Sequence, residues 1–396
     1  MNWVVAALSV LVILLGVLAC SPQTAPSATS TAVAPKPQAT SQAASSPASG
    51  KPGWQEQWDR TVEAANKEGT VVVYSGAGPG PRAEIGRLFH QAYPEIKIED
   101  VADRGTRLAL KIETERRAKL YLEDIFIDSD TPSVTQMKAI GTIVPLEPQL
   151  ILPDVANPDM VKKIWYQGKL FWVDKDHMIL GMQLTPDAAL GINTNLVKPG
   201  DIKSWNDLTD PKWKGRMVMS DPSKPGASAT FAMFTEEIMG PDYLARVVKN
   251  EPIILDDVRQ ALDWLVHGKV AIVIGPETPV LVEMQKAGGP ITSITPKEGA
   301  WMAVGSGAIT MVDKAPHPNA AKVFLNWLLT KEANAAFVRA SGGHSLRMDV
   351  PPDYLAPDNV RQEGVNYWVK SQEERLLKMP DAYKRWAVTL APIMKK

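Results

Sequence analysis

The sequence predicts an α/β protein in which strands alternate with helices and the chain is long enough for two lobes. Its 396 residues are too many for one small domain and suit two lobes or one large α/β unit. Short β-branched runs such as residues 70–74 alternate with segments of helical spacing, which indicates a parallel or mixed sheet. Such sheets bind ligands at the carboxyl ends of their strands, so the loops at those ends are the expected ligand site.

Composition excludes several classes of protein. The 43 basic residues are balanced by 44 acidic residues, whereas a nucleic-acid-binding protein needs a basic excess on one face. The single cysteine cannot form an internal disulfide framework or a cysteine-based zinc site. We therefore expect no nucleic-acid partner and no structural zinc.

The N-terminus predicts export. Residues 4–19 form an apolar run that is broken only by Ser9 and Gly16, and the run is shorter than the roughly 20 residues of a spanning helix. We interpret residues 1–19 as a signal peptide. Cys20 follows Ala19 and resembles the lipidated cysteine of a bacterial lipobox, although residues 1–3 lack Lys and Arg. The alternative is an unmodified cysteine in a signal anchor.

Residues 20–53 predict a tether. After Cys20 the segment contains no aromatic and no acidic residue, so it cannot bury enough surface to offset the entropy of ordering. We expect a disordered chain that holds a globular body near the membrane to which Cys20 anchors it.

Helices and strands alternate from Trp54 onwards. A helix with Trp54, Trp58, Val62 and Ala65 on one face is expected to end at Gly69. The later elements follow from the same patterns. We predict strands at residues 70–74, 96–101, 124–128, 216–219, 270–274 and 308–312, a loop at 75–81, and helices up to Pro94, at 227–239, at 256–267, through Leu329 and through Ala340.

Several motifs resemble those of extracellular solute-binding proteins of ABC importers, in the cluster that includes ferric-ion, thiamine, polyamine and phosphonate binders. The similarity extends from Trp54 to about Val350. The motifs are VVVYSG at 71–76, DIFIDSD at 124–130, SWNDLTDPKWKG at 204–215, SDP at 220–222 and APHPNAAKVFLNWLLTKEA at 315–333.

This resemblance implies a two-lobed α/β fold of the type II periplasmic-binding-protein class, with the ligand cleft between the lobes. The crossovers are expected near residues 181–193 and 291–309. The N-terminal lobe would comprise residues 54–180 with about 305–345, and the C-terminal lobe residues 181–304. Residues 346–396 are expected to form a helical segment of either lobe.

The resemblance also implies function. We expect an extracytoplasmic, lipid-anchored monomer without a cofactor, which captures a small polar solute by hinge closure and delivers it to an ABC permease. A binding protein that signals to a membrane sensor kinase is an alternative. No residue pattern supports an enzyme, because the five histidines are scattered without metal-ligand spacing and no pattern indicates general acid–base chemistry. A lipid-tethered hydrolase is the enzymatic alternative. His317 and His344 are expected to be surface or capping residues.

Candidate ligand residues lie at predicted strand ends. Ser75 and Gly76 open a Gly/Pro loop before a helix, where a bound group could approach the backbone. A dinucleotide fingerprint is excluded, since its third glycine position is Pro81. Ser129 ends another strand, where the alternative role is helix capping; a calcium loop would need more spaced oxygens and a glycine.

The second group of candidates lies in the predicted C-terminal lobe. Gly226, Ala227, Ser228 and Thr230 begin a helix, where backbone N–H groups and hydroxyls could hold an anion; the alternative is simple capping. In related binding proteins this turn contacts anionic groups. The resemblance therefore implies such a contact at Gly226, Ala227 and Ser228. Glu277 follows a strand and could bind a cationic group or be a solvated carboxylate.

The resemblance argues against an iron site. Ferric-ion relatives carry two adjacent tyrosines where this chain has Gly275-Pro276-Glu277-Thr278, and their first-loop histidine falls at Gly78. We therefore expect no metal. Hydroxyls and helix N-termini favour negative charge, whereas Glu277 repels a bare anion. The sequence favours a zwitterion or an organic anion with a cationic end; the rivals are a ferric ion and a polyamine bound by Asp130 and Glu277.

Overall fold

Residues 51–198 and 200–394 are described by the structure, a computed structural model. The predicted signal peptide (1–19), the proposed lipidation site Cys20 and all but the last residues of the predicted tether (20–53) lie outside these ranges. The first helix already begins at Gly53.

Thirteen helices are named within the described residues. They are α1 Gly53–Glu68, α2 Pro79–Ala92, α3 Gly105–Arg117, α4 Asp130–Pro132, α5 Pro153–Ala156, α6 Pro158–Ile164, α7 Ala227–Met239, α8 Tyr243–Val248, α9 Val258–Val266, α10 Thr278–Lys286, α11 Pro318–Leu328, α12 Lys331–Ser341 and α13 Glu373–Met394. A π-helix, Ser133–Lys138, directly follows α4.

The same part of the chain contains fifteen strands. They are β1 Thr70–Ser75, β2 Lys97–Ala102, β3 Ile125–Asp128, β4 Ile143–Val144, β5 Phe171–Trp172, β6 Leu180–Gly181, β7 Thr185–Pro186, β8 Leu190–Asn193, β9 Met217–Met219, β10 Ile253–Ile254, β11 Ile272–Ile274, β12 Ile291–Ile294, β13 Ala300–Ala303, β14 Ala308–Val312 and β15 Tyr367–Val369.

The strands form three sheets. The first has the order β2-β1-β3-β14-β6-β5, with β4 also paired to β14, and the second has the order β10-β9-β11-β8-β12. A third, small sheet has the order β15-β13-β7. In the first sheet β1 lies parallel to β2 and β3, and in the second β9 lies parallel to β10 and β11. Each large sheet therefore gathers the carboxyl ends of several strands at one edge.

The chain crosses between the two large sheets twice. It leaves the first sheet at β6, passes through β7 of the small sheet and enters the second sheet at β8; it returns through β12, β13 and β14. Because β7 and β13 pair with each other, the two crossovers lie side by side. The exact lobe boundaries stay predictions.

Each large sheet has its own apolar core. The first core surrounds β1, β3 and β14 and includes Phe89, Phe126 and Phe324. The second surrounds β8, β9 and β11 and includes Trp205 and Trp301. These buried aromatic side chains account for much of the apolar area that each core removes from water.

The C-terminal helix α13 contacts both cores. Leu376, in its first turn, belongs to the first core, whereas Met379, Trp386 and Leu390 belong to the second. The described part of the segment 346–396, which the sequence assigned to neither lobe, therefore packs against both cores.

Most predicted elements are confirmed, with shifted ends. The helix at residues 227–239 is found with the bounds that the sequence predicted. The predicted loop at 75–81 is shorter, because α2 begins at Pro79, where proline suits the first helical turn. The expectation for His344 is wrong: its side chain is buried, at 7% exposure. His317 precedes α11, and both its backbone N and its Nδ1 lie near Asp124, at 2.8 and 2.9 Å.

Candidate ligand-binding cleft

A cavity of about 360 Å³ lies where strands of the second sheet end and α7 begins. Its position follows from the parallel pairing of β9 with β10 and β11, which brings three strand ends and the following loops together. The lining residues are Val218, Met219, Ser220, Asp221, Lys224, Pro225, Gly226, Ala227, Leu255, Asp256, Val258, Ala261, Val273, Ile274, Gly275 and Glu277. We call this the α7 cavity.

The N-terminus of α7 faces this cavity without a side-chain cap. Gly226 is the N-cap residue, and no side chain there accepts a hydrogen bond from the helix. The first N–H groups of a helix have no acceptor within the helix, and the helix dipole adds partial positive charge at this end. Gly226 and Ala227 line the cavity, so the uncapped end of α7 can bind an anionic group.

Lys224 adds a full positive charge beside α7. Its Nζ lies 2.8 Å from a carboxylate oxygen of Asp256 and 3.3 Å from one of Asp221. The hydrogen bond to Asp256, followed by that to Asp221, raises the pKa of Lys224. Burial opposes ionisation of Asp221, but hydrogen bonds from Ser223 and Lys224 outweigh it and lower the pKa of Asp221. One ammonium group is thus shared by two carboxylates.

Glu277 provides a third carboxylate at the cavity wall. It lies between β11 and α10, and its side chain is exposed. Within the described residues no ion pair of Glu277 is found. The cavity therefore has a cationic end at α7 and an excess of carboxylate around it.

The hydroxyls of Ser228 and Thr230 do not line the cavity. The Ser220 hydroxyl donates to Ser228 Oγ at 2.9 Å, and Ser228 is fully buried. The Thr230 hydroxyl donates to the Gly226 carbonyl at 3.2 Å. Both side chains hold the first turn of α7 in place; a ligand contact from either stays a prediction.

The first sheet presents a different arrangement at the corresponding edge. Ser75 pairs with Ile127, so Gly76 lies next to Asp128. The buried Ser75 Oγ accepts a hydrogen bond from the Ala77 N–H at 3.2 Å. Ser129 is half-buried, and its side chain makes no capping hydrogen bond to α4. Of the sequence candidates, Ser75, Gly76 and Ser129 are thus brought together at this edge.

The space between Gly76 and Gly105 is filled by the Asp128 carboxylate. A Cβ atom at Gly76 would lie 2.5 Å from Asp128 Cγ, and one at Gly105 would lie 1.2 Å from Asp128 Oδ2. Glycine at both positions is explained by this close approach of backbone to carboxylate. The close approach that the sequence predicted for a ligand at Gly76 is made by the protein's own carboxylate.

The pKa of Asp128 is raised to about 6, mainly by burial and further by the charge of nearby Asp130. Hydrogen bonds from the backbone N–H groups of Ser129 and Gly105 oppose this rise but do not cancel it. Asp130 is 2% exposed, and its Oδ2 has no hydrogen-bond partner among the described residues. This edge is therefore acidic and already contains an anion where α3 begins.

Sequence reasoning missed Lys224, Asp221, Asp256 and the pairing of Asp128 with Gly105. Lys224 lies in the Ser/Pro/Gly stretch directly before α7, so its place in a strand-to-helix loop was the available signal. Gly105 lies some twenty residues from Asp128, and nothing in the local sequence links the two.

Similarity to known proteins identifies the family. A family model described as "Bacterial extracellular solute-binding protein" matches residues 71–342, which is more than half of the chain. The chain belongs to this family. Members are extracytoplasmic binding proteins of ABC transporters, so the chain is a solute-binding protein and not an enzyme. Partnership with an ABC permease is typical of the family.

Two curated relatives of this solute-binding protein are named after anionic or zwitterionic solutes. The sulfate-binding protein of Synechococcus elongatus is 28% identical over 185 residues, which is 42% of this chain and 52% of the relative. A protein of Salmonella typhimurium, named as a 2-aminoethylphosphonate-binding periplasmic protein, is 24% identical over 49% of this chain and 60% of the relative. The chain thus spans little more than half of either relative.

A solved structure shows the same fold. A Trichodesmium protein in complex with iron and citrate has a TM-score of 0.62 at 16% identity, covering 83% of this chain and 100% of the other. The solute-binding protein therefore has the two-lobed type II fold that the motifs implied. Across residues 51–198 and 200–394, no helix is both long and apolar enough to span a membrane.

A group of three carboxylates lies outside the α7 cavity. Asp174, Asp176 and Glu373 place oxygens within 4.8 Å of one another, but Lys138 Nζ lies 2.7 to 2.8 Å from all three. The ammonium group occupies the position that a cation would take. We therefore interpret the group as an ion-pair network that joins the start of α13 to the first sheet.

Proposed function

We propose that this solute-binding protein captures a small zwitterion whose anionic group binds at the N-terminus of α7 and whose amino group faces carboxylates. The observation that carries the proposal is the α7 cavity, in which an uncapped helix N-terminus and Lys224 lie beside Asp221, Asp256 and Glu277. Its volume of about 360 Å³ is within the range for small-molecule sites.

The backbone at the start of α7 supports the position proposed for the anionic end of the solute. The start of α7 presents uncapped N–H groups to this cavity, and Lys224 lies on the same side, so a phosphonate, sulfonate or carboxylate gains charge-assisted hydrogen bonds there. The corresponding edge of the first sheet is already filled by Asp128, so an anion placed there would meet a like charge.

The surplus of carboxylates supports the position proposed for the cationic end of the solute. Lys224 neutralises only part of the negative charge of Asp221 and Asp256, and Glu277 has no ion pair within the described residues. A bare anion would be repelled by this surplus, whereas an ammonium group would be attracted. The names of the sulfate and 2-aminoethylphosphonate relatives support an anionic group in the solute. A polyamine is the rival, since it would use the carboxylates alone.

Substitution of Gly226 separates the two solutes. Gly226 is exposed, and a Cβ there would lie 3.8 Å from Ser220 Oγ, so a side chain fits. Gly226→Asp and Gly226→Asn both cap α7, but only Asp adds negative charge. We expect Gly226→Asp to weaken 2-aminoethylphosphonate binding at least about tenfold relative to Gly226→Asn, as measured by isothermal titration calorimetry.

Binding of a polyamine instead of a zwitterion would contradict the proposal. If putrescine binds the wild type while 2-aminoethylphosphonate, sulfate and taurine do not, and Gly226→Asp retains putrescine, the zwitterion proposal is wrong. Ser228→Asp, the obvious alternative variant, is less informative, because Ser228 is fully buried and a buried charge destabilises the fold directly.

The two-lobed fold supports a second part of the proposal, that the solute is captured by hinge closure and delivered to an ABC permease. A solute that contacts both lobes does so only in the closed state, so it shifts the population towards that state. We propose that the chain acts as a monomer and that the adjacent crossovers β7 and β13 form the hinge. Small-angle scattering should show one chain per particle and a smaller radius of gyration with solute; an unchanged radius at saturation contradicts closure.

We also propose a lipid anchor at Cys20, on the basis of the sequence alone. Ala19-Cys20 follows an apolar segment and precedes a stretch of Ser, Pro, Ala and Thr. Cys20→Ser should move the protein from the membrane fraction to the soluble fraction, or leave it with an uncleaved N-terminus. Membrane partition that stays unchanged, together with normal cleavage, would contradict the anchor; Cys20 is the only cysteine, so no second thiol complicates the result.

A further inference from the structure

A second cavity lies beside the crossovers and shares no lining residue with the α7 cavity. It has a volume of about 520 Å³, which is also within the range for small-molecule sites. The lining residues are Tyr166, His344, Arg347, Met348, Val350, Pro352, Val360, Arg361, Gln362, Glu363, Gly364, Val365 and Tyr367. We call this the Arg361 cavity.

Arg361 has an uncompensated charge. Its guanidinium donates to the carbonyl oxygens of Leu184, His344 and Ser345 at 2.8, 3.3 and 2.7 Å. All three acceptors are neutral, and Arg361 forms no ion pair anywhere in the described part of the chain. Burial lowers its pKa to about 10, and the groups that oppose this are the tyrosines Tyr166, Tyr354 and Tyr367 rather than carboxylates.

Part of the guanidinium is available to a ligand. The hydrogen bonds to protein use Nη1 and Nη2, and Nε has no acceptor among the described residues. Nε is not fully enclosed by the described residues, so a ligand atom can reach it. An arginine that keeps a free N–H group in a partly buried site is suited to bind a carboxylate.

The other charges of the Arg361 cavity do not neutralise Arg361. Arg347 in the same wall is paired with Asp154 and Asp349, at 2.8 and 2.9 Å. Burial, and then the charge of Arg361, lower the pKa of His344 to about 4, so this imidazole is neutral at pH 7. Glu363 is exposed at the rim.

Apart from Gln362 and Gly364, the remaining lining residues are apolar or aromatic. The guanidinium of Arg361 lies 4.4 Å from the centre of the Tyr166 ring, an arrangement in which the ring attracts the cation. Val350, Val360, Val365 and Tyr367 line the cavity around it. These side chains favour an apolar ligand body, which an inorganic anion lacks.

We propose that the Arg361 cavity is a second ligand site, which binds a small organic carboxylate with an apolar or aromatic body. The carboxylate accepts hydrogen bonds from Arg361, and the body packs against the valines and Tyr367. The site is independent of the solute proposed for the α7 cavity.

Benzoate, benzamide and sulfate are suitable probes. With the full-length chain purified in detergent, calorimetry should show that benzoate binds at least about tenfold more tightly than benzamide, which has the same ring without the charge, and more tightly than sulfate. Arg361→Gln should abolish benzoate binding. Because Arg361 also holds backbone carbonyls, Val365→Trp, which fills the cavity and leaves Arg361 in place, should abolish it as well.

Two control variants locate the binding. Glu363→Gln should bind benzoate as tightly as the wild type or more tightly, and Lys224→Gln, in the α7 cavity, should leave benzoate binding unchanged. The proposal is overturned if benzoate does not bind, if benzamide or sulfate binds equally well, if Val365→Trp retains binding with native circular dichroism, or if Lys224→Gln removes it.

Discussion

The two large sheets have similar loops and helices at the carboxyl ends of their strands, but different groups occupy the space there. In each, parallel strands end at loops that contain glycine and lead into helices. In the first sheet the space beside Gly76 and Gly105 contains the Asp128 carboxylate; in the second the N-terminus of α7 opens on a cavity of about 360 Å³. A glycine loop before a helix therefore identifies a place for an anion, and the surrounding side chains decide whether that anion is part of the protein.

The largest expected effect is on stability, at the filled edge. Gly105→Ala places a Cβ 1.2 Å from the present position of Asp128 Oδ2, so the carboxylate must move and lose hydrogen bonds. We expect the free energy of unfolding to fall by about 3 kcal/mol. Gly226→Ala at the open edge has space for its Cβ and should change it by less than about 1 kcal/mol. Urea unfolding of both variants checks the difference, and equal losses would contradict it.

A smaller effect concerns pH. The pKa of Asp128 is raised from 3.8 to about 6, so between these values the folded state holds a proton that the unfolded state releases. The free energy of unfolding therefore falls as pH rises through this window, by on the order of 2 kcal/mol from this group. The free energy of unfolding of Asp128→Asn should fall less than that of the wild type over this pH range, because the variant has no carboxyl group at this position.

The measurement is the difference between wild type and Asp128→Asn in urea unfolding at pH 4.5 and pH 7. The difference removes the contributions of other buried acids, such as Asp124, whose pKa is also raised by burial. If the wild type instead gains stability relative to the variant as pH rises, the N–H donors hold Asp128 as a carboxylate and its pKa is not raised.

The fold was largely predictable because its signals are local. β-Branched runs marked β1 and β14, the spacing of Trp54, Trp58 and Val62 marked α1, and the motif positions matched the family. The helix at 227–239 was predicted with the correct bounds, since its apolar pattern begins directly after a Gly-containing turn.

The site was predictable only in part, because its charges depend on contacts between distant segments. The predicted residues Gly226, Ala227 and Glu277 do line the α7 cavity. Lys224 and Asp256 were missed, because they meet from loops some thirty residues apart in the sequence. Asp128 reaches Gly105 across a helix and a loop. Pairings of this kind have no local sequence pattern, and the Arg361 cavity, assembled from three separate segments, has none either.

A crystal structure of the chain with 2-aminoethylphosphonate tests the central claim most directly. We predict that phosphonate oxygens accept hydrogen bonds of about 3 Å from the N–H groups at the start of α7, with Lys224 beside them, and that Asp128 stays between Gly76 and Gly105. A phosphonate bound at Gly76, with the Asp128 side chain displaced, would contradict this assignment.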